Sequence, residues 1–178
     1  MKKIVTVVSA LVLGITAMAQ TDQGTWMFGA GSNLGFTSGK ENSDQEDAAS
    51  QLSLDVRAGY FVIDNLAVGL DLGYSSVSVG GVSGADLGVG PYLRYYLMES
   101  KLFGELGYKI GSSSYDGTKL GSTGALGVGV GYAAWLNDNV TIEPMIKYSA
   151  LSTKPDGGDS YSGSAFGVMI NFGIYLGN

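Results

Sequence analysis

Residues 59–74, GYFVIDNLAVGLDLGY, decide the fold. Back from the middle, Val62, Tyr60, Ala58, Val56, Leu54 and Leu52 are apolar and alternate with Phe61, Gly59, Arg57, Asp55 and Ser53. Forward, Leu66, Val68, Leu70, Leu72 and Tyr74 alternate with Ala67, Gly69, Asp71, Gly73 and Ser75. Strict alternation describes a strand with one greasy face and one small or polar face. Ile63, Asp64 and Asn65 supply turn chemistry between the two strands. Pairing Val62 with Leu66 sets Arg57 opposite Asp71, a charge pair of the kind that cross-strand register favours.

Outward from this hairpin the same alternation recurs until eight strands are counted. Trp26–Thr37 carries Trp26, Phe28, Ala30, Leu34 and Phe36 on its greasy face. The others are read at 85–97, 102–111, 123–136, 140–151 and 165–176, the last with Phe166, Val168, Ile170, Phe172, Ile174 and Leu176 on one side. Short turns follow the second, fourth and sixth strands. The other connections, 38–50, 76–84, 112–120 and 152–162, are polar or rich in Gly and Ser and are read as loops.

Composition narrows the class. Gly makes up 29 of 178 residues and only 15% are charged; there is no Cys and no His. Without Cys there is no disulfide framework, and without His most hydrolytic, metal and acid–base schemes lose their usual side chain. Residues 1–19 read as an export signal: Lys2 and Lys3, an apolar run from Ile4 to Ile15, then Ala17-Met18-Ala19 before Gln20. Loss of the two lysines takes the formal charge from -6 to -8. That acidity, with no basic run, argues against nucleic acid as a partner.

The greasy face could line a soluble, lipocalin-like barrel or face lipid. Three features favour lipid. Its aromatic and aliphatic bulk exceeds what an eight-stranded interior holds. The opposite face, mostly Gly, Ala and Ser, is too small and too sparsely charged for a solvated surface. No charge interrupts the greasy face, as a membrane demands. The expected fold is therefore all-β, an eight-stranded antiparallel up-and-down transmembrane barrel with both termini periplasmic, spanning 20–178 as a single domain.

The hairpin at 59–74, GPYLRYYL at 90–97 and LFGELGYKIG at 102–111 resemble the small outer-membrane β-barrel family, porin-like and of the OmpX/OmpA type, with the nearest likeness to Bacteroidetes-type members. The resemblance covers 20–178 and implies an outer-membrane protein that meets lipid and the assembly machinery, as a monomer, without a cofactor. The chain departs from it at the end. Such barrels usually finish on an aromatic residue read by that machinery, whereas this sequence reads Tyr175-Leu176-Gly177-Asn178, so less efficient recognition is expected.

With lipid outside, the other face lines the lumen. Phe61, Tyr96, Phe103, Trp135 and Tyr175 fall inward near the short turns and are expected to plug that end. Above them come five acids (Asp55, Asp71, Asp86, Glu105, Glu143) and four bases (Arg57, Arg94, Lys109, Lys147), with Arg94 opposite Glu105 if Leu97 meets Leu102. Near-balance favours a structural ion network over a selectivity filter, since an unpaired buried charge is costly. Asp55 and Asp71 could in principle do acid–base work, but Arg57 beside them favours ion pairing. The Gly-x-Gly run at 127–131 precedes no helix, so it suits a narrow lumen wall and not a dinucleotide. In the first loop Glu41, Asp44, Glu46 and Asp47 read as a solvated segment or as a contact for a cation or an adhesive partner. Asp156 and Asp159 are too few for calcium. The expected role is non-enzymatic, structural or surface-interacting, with a narrow passive channel or an adhesin as alternatives.

Overall fold

The fold is that of a computed structural model, which describes residues 21–31, 35–39, 49–97 and 101–177. The export signal and Glu41, Asp44, Glu46 and Asp47 lie outside the described residues. Eight strands follow one another: β1 in two pieces (Trp26–Gly31 and Gly35–Gly39), β2 (Ala49–Ile63), β3 (Leu66–Val79), β4 (Val82–Tyr96), β5 (Leu102–Tyr115), β6 (Thr118–Tyr132, extended by Ala134–Trp135), β7 (Val140–Pro155) and β8 (Tyr161–Leu176). Each pairs antiparallel with the next, and β1 pairs with β8 from Trp26↔Leu176 to Gly31↔Asn171. The sheet therefore closes on itself, and the described chain is an all-β, eight-stranded antiparallel barrel.

One row of paired residues gives its dimensions. Leu176 pairs with Trp26, then in turn Tyr60, Val68, Leu93, Leu106, Val128, Tyr148 and finally Phe166, back on β8 ten residues from the start. A stagger of ten residues over eight strands tilts them by ~40° and leaves a backbone radius of ~8 Å. Rows perpendicular to the strands consequently climb around the wall from β1 towards β8. The row just quoted is entirely apolar, and these side chains stand on the outer surface. The lipocalin-like arrangement, with the greasy face inside, is thereby excluded.

The inward rows work by size. Met27, Gly59, Gly69, Tyr92, Gly107 and Gly127 are successive neighbours on β1 to β6. Only two of the six are large, because a cylinder this narrow has room for few side chains at each level.

The connections correct part of the sequence reading. The stretches 76–84 and 112–120 are not loops: β3–β4 and β5–β6 run on to the two-residue turns Gly80-Gly81 and Asp116-Gly117. All four turn residues have positive φ, from 46° to 82°, the mirror-image turn whose twist matches paired strands. The 152–162 stretch likewise belongs mostly to β7 and β8. In the opening hairpin Val62 does not face Leu66. The register slips after Phe61, Ile63 takes Leu66, and Asp64 and Asn65 alone make the turn. Above the slip, away from the turn, the expected register holds, with Arg57 opposite Asp71. The two pieces of β1 also differ by two residues in their pairing with β2, Ala30↔Val56 against Phe36↔Leu52. An even slip leaves the alternation in phase.

At the end that holds both termini, residues 21–25 are strapped over the β2–β3 turn. Asn65 N–H donates to Thr21 O at 2.7 Å, Thr21 Oγ1 to Asn65 Oδ1 at 2.7 Å, Gln23 N–H to Asp64 Oδ1 at 2.8 Å and Gly24 N–H to Phe61 O at 3.0 Å.

Candidate functional site in the barrel lumen

The lumen is stacked in three layers. The lowest, at the terminal end, holds Phe61, Tyr96, Phe103, Trp135 and Tyr175, all buried, with Met27, Ala67 and Ala133 between them. Each is inward because its strand neighbours face lipid. Ring centroids lie 4.6 Å apart for Trp135–Tyr175, 5.4 Å for Tyr96–Phe103 and 5.8 Å for Phe61–Tyr96, all tilted, a favourable geometry for aromatic pairs.

The middle layer is an ion network centred on Arg94, whose side chain is 0% exposed. Its Nε and Nη2 donate to Glu105 Oε2 at 3.1 and 2.8 Å, and Nη1 donates to Glu143 Oε2 at 2.7 Å and to the Tyr96 hydroxyl at 3.1 Å. The guanidinium carbon stands 3.9 Å from the centroid of the Phe103 ring, so the charge rests on the aromatic layer. Arg57 reaches Asp71 at 3.0 Å and Glu105 at 2.6 Å, and lies 5.1 Å from the Tyr92 ring centroid. Lys147 stands 3.5 Å from Glu105, and Lys109 3.8 Å from Asp71 and 3.7 Å from Asp55. Glu143 Oε1 accepts from Tyr175 at 2.6 Å and from Thr141 at 2.9 Å; the hydroxyls of Tyr96 and Tyr175 also bond to each other.

Asp86 stands apart. Its carboxylate accepts from the Ser113 hydroxyl and makes no ion pair among the described residues. The network is thus four cations (Arg57, Arg94, Lys109, Lys147) against four anions (Asp55, Asp71, Glu105, Glu143), not the four against five of the sequence reading. Every member has an opposite charge within 4 Å, which is the condition under which buried charges are tolerated.

The third layer is a cup of about 750 Å³ with a mixed polar and apolar lining, opening towards the long hairpins. Gln51, Ser53, Ser75, Ser113 and Thr123 line it, with Asp55, Asp86 and Lys109. Chemically the cup offers hydroxyls, an amide and a few charges, above a floor of neutralised ion pairs.

Sequence reasoning missed Met27, Tyr92, Thr141, Met145 and Asn171, all buried in the lower two layers. For Tyr92, Thr141 and Met145 the signal was a glycine close by. A Cβ on Gly59 or Gly69 would overlap the Tyr92 side chain, one on Gly129 would overlap Met145, and one on Gly131 would overlap the Phe103 ring. Each of these inward glycines marks the socket of a large side chain one or two strands away.

Residues 7–176 match the Outer membrane protein beta-barrel domain. Among solved structures, the outer membrane protein OprG from Pseudomonas aeruginosa aligns at TM-score 0.50 and 16% identity, over 88% of this chain and 98% of that one. Neisserial surface protein A (NspA) aligns at TM-score 0.49 and 17% identity, over 84% and 94%. The N-terminal β-barrel domain of Pseudomonas aeruginosa OprF aligns at 0.46 and 13%, over 86% and 98%. At such identities the likeness concerns the fold alone. No curated protein matches the sequence. With 7–176 matched and the described strands closed into the corresponding barrel, the chain belongs to the outer membrane protein β-barrel domain family.

Proposed function

We propose that the protein is an integral, non-enzymatic barrel of the outer membrane with a closed lumen, its termini periplasmic and its long hairpins outside, acting structurally or through surface contacts. The observation that carries this reading is the pair of lower layers. Five buried aromatics span a cylinder of ~8 Å backbone radius, and a charge-neutral network sits directly on them. An ion moving through would have to part rings packed at 4.6–5.8 Å and then replace ion pairs of 2.6–3.0 Å. No group in this arrangement is set up as a nucleophile or a free base, since each buried carboxylate is held by cations. What remains available to partners is the outer cup and the hairpins around it.

The test is single-channel recording on the protein purified from outer membranes and fused into a planar bilayer. A silent bilayer supports the closed lumen. Steady conductance that rises when Trp135 or Phe103 is cut to alanine would make the aromatic layer a constriction and the protein a narrow passive channel. Deletion of 40–47 addresses adhesion separately: loss of cell binding to a matrix-coated surface would assign the contact to that segment.

A further inference from the structure

The outer wall carries a crevice of about 590 Å³ across β4 to β7, lined by Leu87, Val89, Tyr108, Ile110, Ser122 and Lys154 among others. It exists because of residue size. Val89, Ile110, Gly124 and Ser152 form one row of paired neighbours, and Leu87, Ser112, Ser122 and Lys154 the next. Glycine and serines therefore interrupt a surface that is otherwise Leu, Ile and Tyr, and Tyr108 leans over Gly124, where a Cβ would stand 2.9 Å from its hydroxyl oxygen.

The chemistry of the crevice is graded. These rows climb from β4 to β7 by ~3 Å per strand, from the tilt and the strand spacing. The apolar side chains on β4 and β5 are accordingly lower in the wall, and Ser122, Ser152 and Lys154 are higher. Above this level most outward positions are no longer greasy: Ser76 and Ser78 follow Tyr74, Ser112 and Ser114 follow Ile110, and Ser152 and Lys154 follow Tyr148, with Leu120 beyond Ser122 as an exposed exception. The crevice thus straddles the upper edge of the apolar belt. Lys154 is exposed there and makes no ion pair among the described residues.

From this we infer that the crevice binds one phosphorylated glycolipid of the outer leaflet, with an acyl chain along Leu87, Val89 and Ile110, sugar hydroxyls at Ser122 and Ser152, and a phosphate at Lys154. Its position on the lipid-facing wall limits the occupant to a lipid. The single cation above a hydroxyl-lined shelf selects an anionic sugar headgroup over a zwitterionic one. The choice of leaflet rests on the proposed orientation, with the long hairpins outside.

Native mass spectrometry of the folded protein in detergent, titrated with diphosphoryl lipid A, phosphatidylglycerol or phosphatidylethanolamine, tests the assignment. One lipid A per barrel is expected, retained more strongly than either phospholipid, with affinity about fivefold weaker in Lys154→Gln. It should be lost in Gly124→Leu, which fills the notch. Both variants must keep the heat-shifted gel mobility of the folded barrel; Ser122→Leu is the alternative filling variant if Gly124→Leu does not fold. Equal retention of all three lipids, tighter retention of phosphatidylglycerol, or no change in the folded variants would overturn the proposal. Orientation is read independently, by labelling Ser160→Cys on intact cells with an impermeant maleimide. Labelled cells with lipid-blind barrels would remove the crevice assignment and leave the orientation standing. Selective binding without surface labelling would overturn the orientation and the outer-leaflet source with it.

Discussion

Among the described side chains Arg94 carries most of the lumen, because two carboxylates, a tyrosine hydroxyl and an aromatic face all depend on it. Arg94→Met keeps the bulk and removes the charge. It strands Glu143 without a cation and weakens the hold on Glu105, so a loss of about 3–5 kcal/mol in urea-unfolding stability is expected. Arg94→Met combined with Glu143→Gln should lose less than the sum of the single losses, since the stranded anion is gone. A second residue-scale prediction concerns the sockets. Gly131→Ala pushes a methyl into the Phe103 ring and should cost about 1–3 kcal/mol, with part of the loss recovered by Phe103→Leu in the same unfolding assay. Cross-strand partners such as Arg57–Asp71 and Arg94–Glu105 were legible in the sequence, since register alone brings them together. Arg57–Glu105 and Arg94–Glu143 were not, because β2 and β5, or β4 and β7, meet only through the curvature of a closed wall.

At the scale of elements, the strands outrun the apolar belt, and the extension escaped the sequence reading for a physical reason. Beyond Tyr74 the period of two continues, but the outward residues become serine once the strand leaves lipid, so the contrast that marks a half-buried strand fades. What still marked these stretches was the turn chemistry, Gly80-Gly81 and Asp116-Gly117, both strong signals for a two-residue hairpin. Gly81, at φ +82°, and Gly104, an outward glycine on β5 with open space around it, make a controlled comparison. Gly81→Val should lower unfolding stability by about 1–3 kcal/mol through backbone strain. Gly104→Val should leave it unchanged or raise it slightly, since it only adds apolar surface towards lipid. Equal effects at the two positions would mean that the turn geometry is not what the hairpin depends on.

On the scale of the whole molecule, the wall is unevenly stitched. The described ladder between β1 and β8 has six residue pairs, whereas β7 and β8 share fourteen. Hydrogen exchange in detergent is expected to be faster for the amides of Tyr161–Met169 that point away from β7 than for those of Phe172–Tyr175, which lie between two ladders. Uniform protection along β8 would contradict this. The strand count and the outward greasy face were readable in the chain from its alternation alone. The β1 slip was not, since a two-residue shift leaves every side chain on its own face. The neutral cluster in the lumen has one further consequence. Arg94, Asp71, Glu105 and Glu143 are almost wholly out of reach of solvent, and each field is cancelled by a partner a few ångströms away. Dissolved salt screens charges over roughly 10 Å at 0.1 M, but only where mobile ions can gather. The unfolding midpoint should therefore hardly change between dilute and concentrated sodium chloride, so that the barrel is electrostatically held together yet indifferent to the ionic strength outside it.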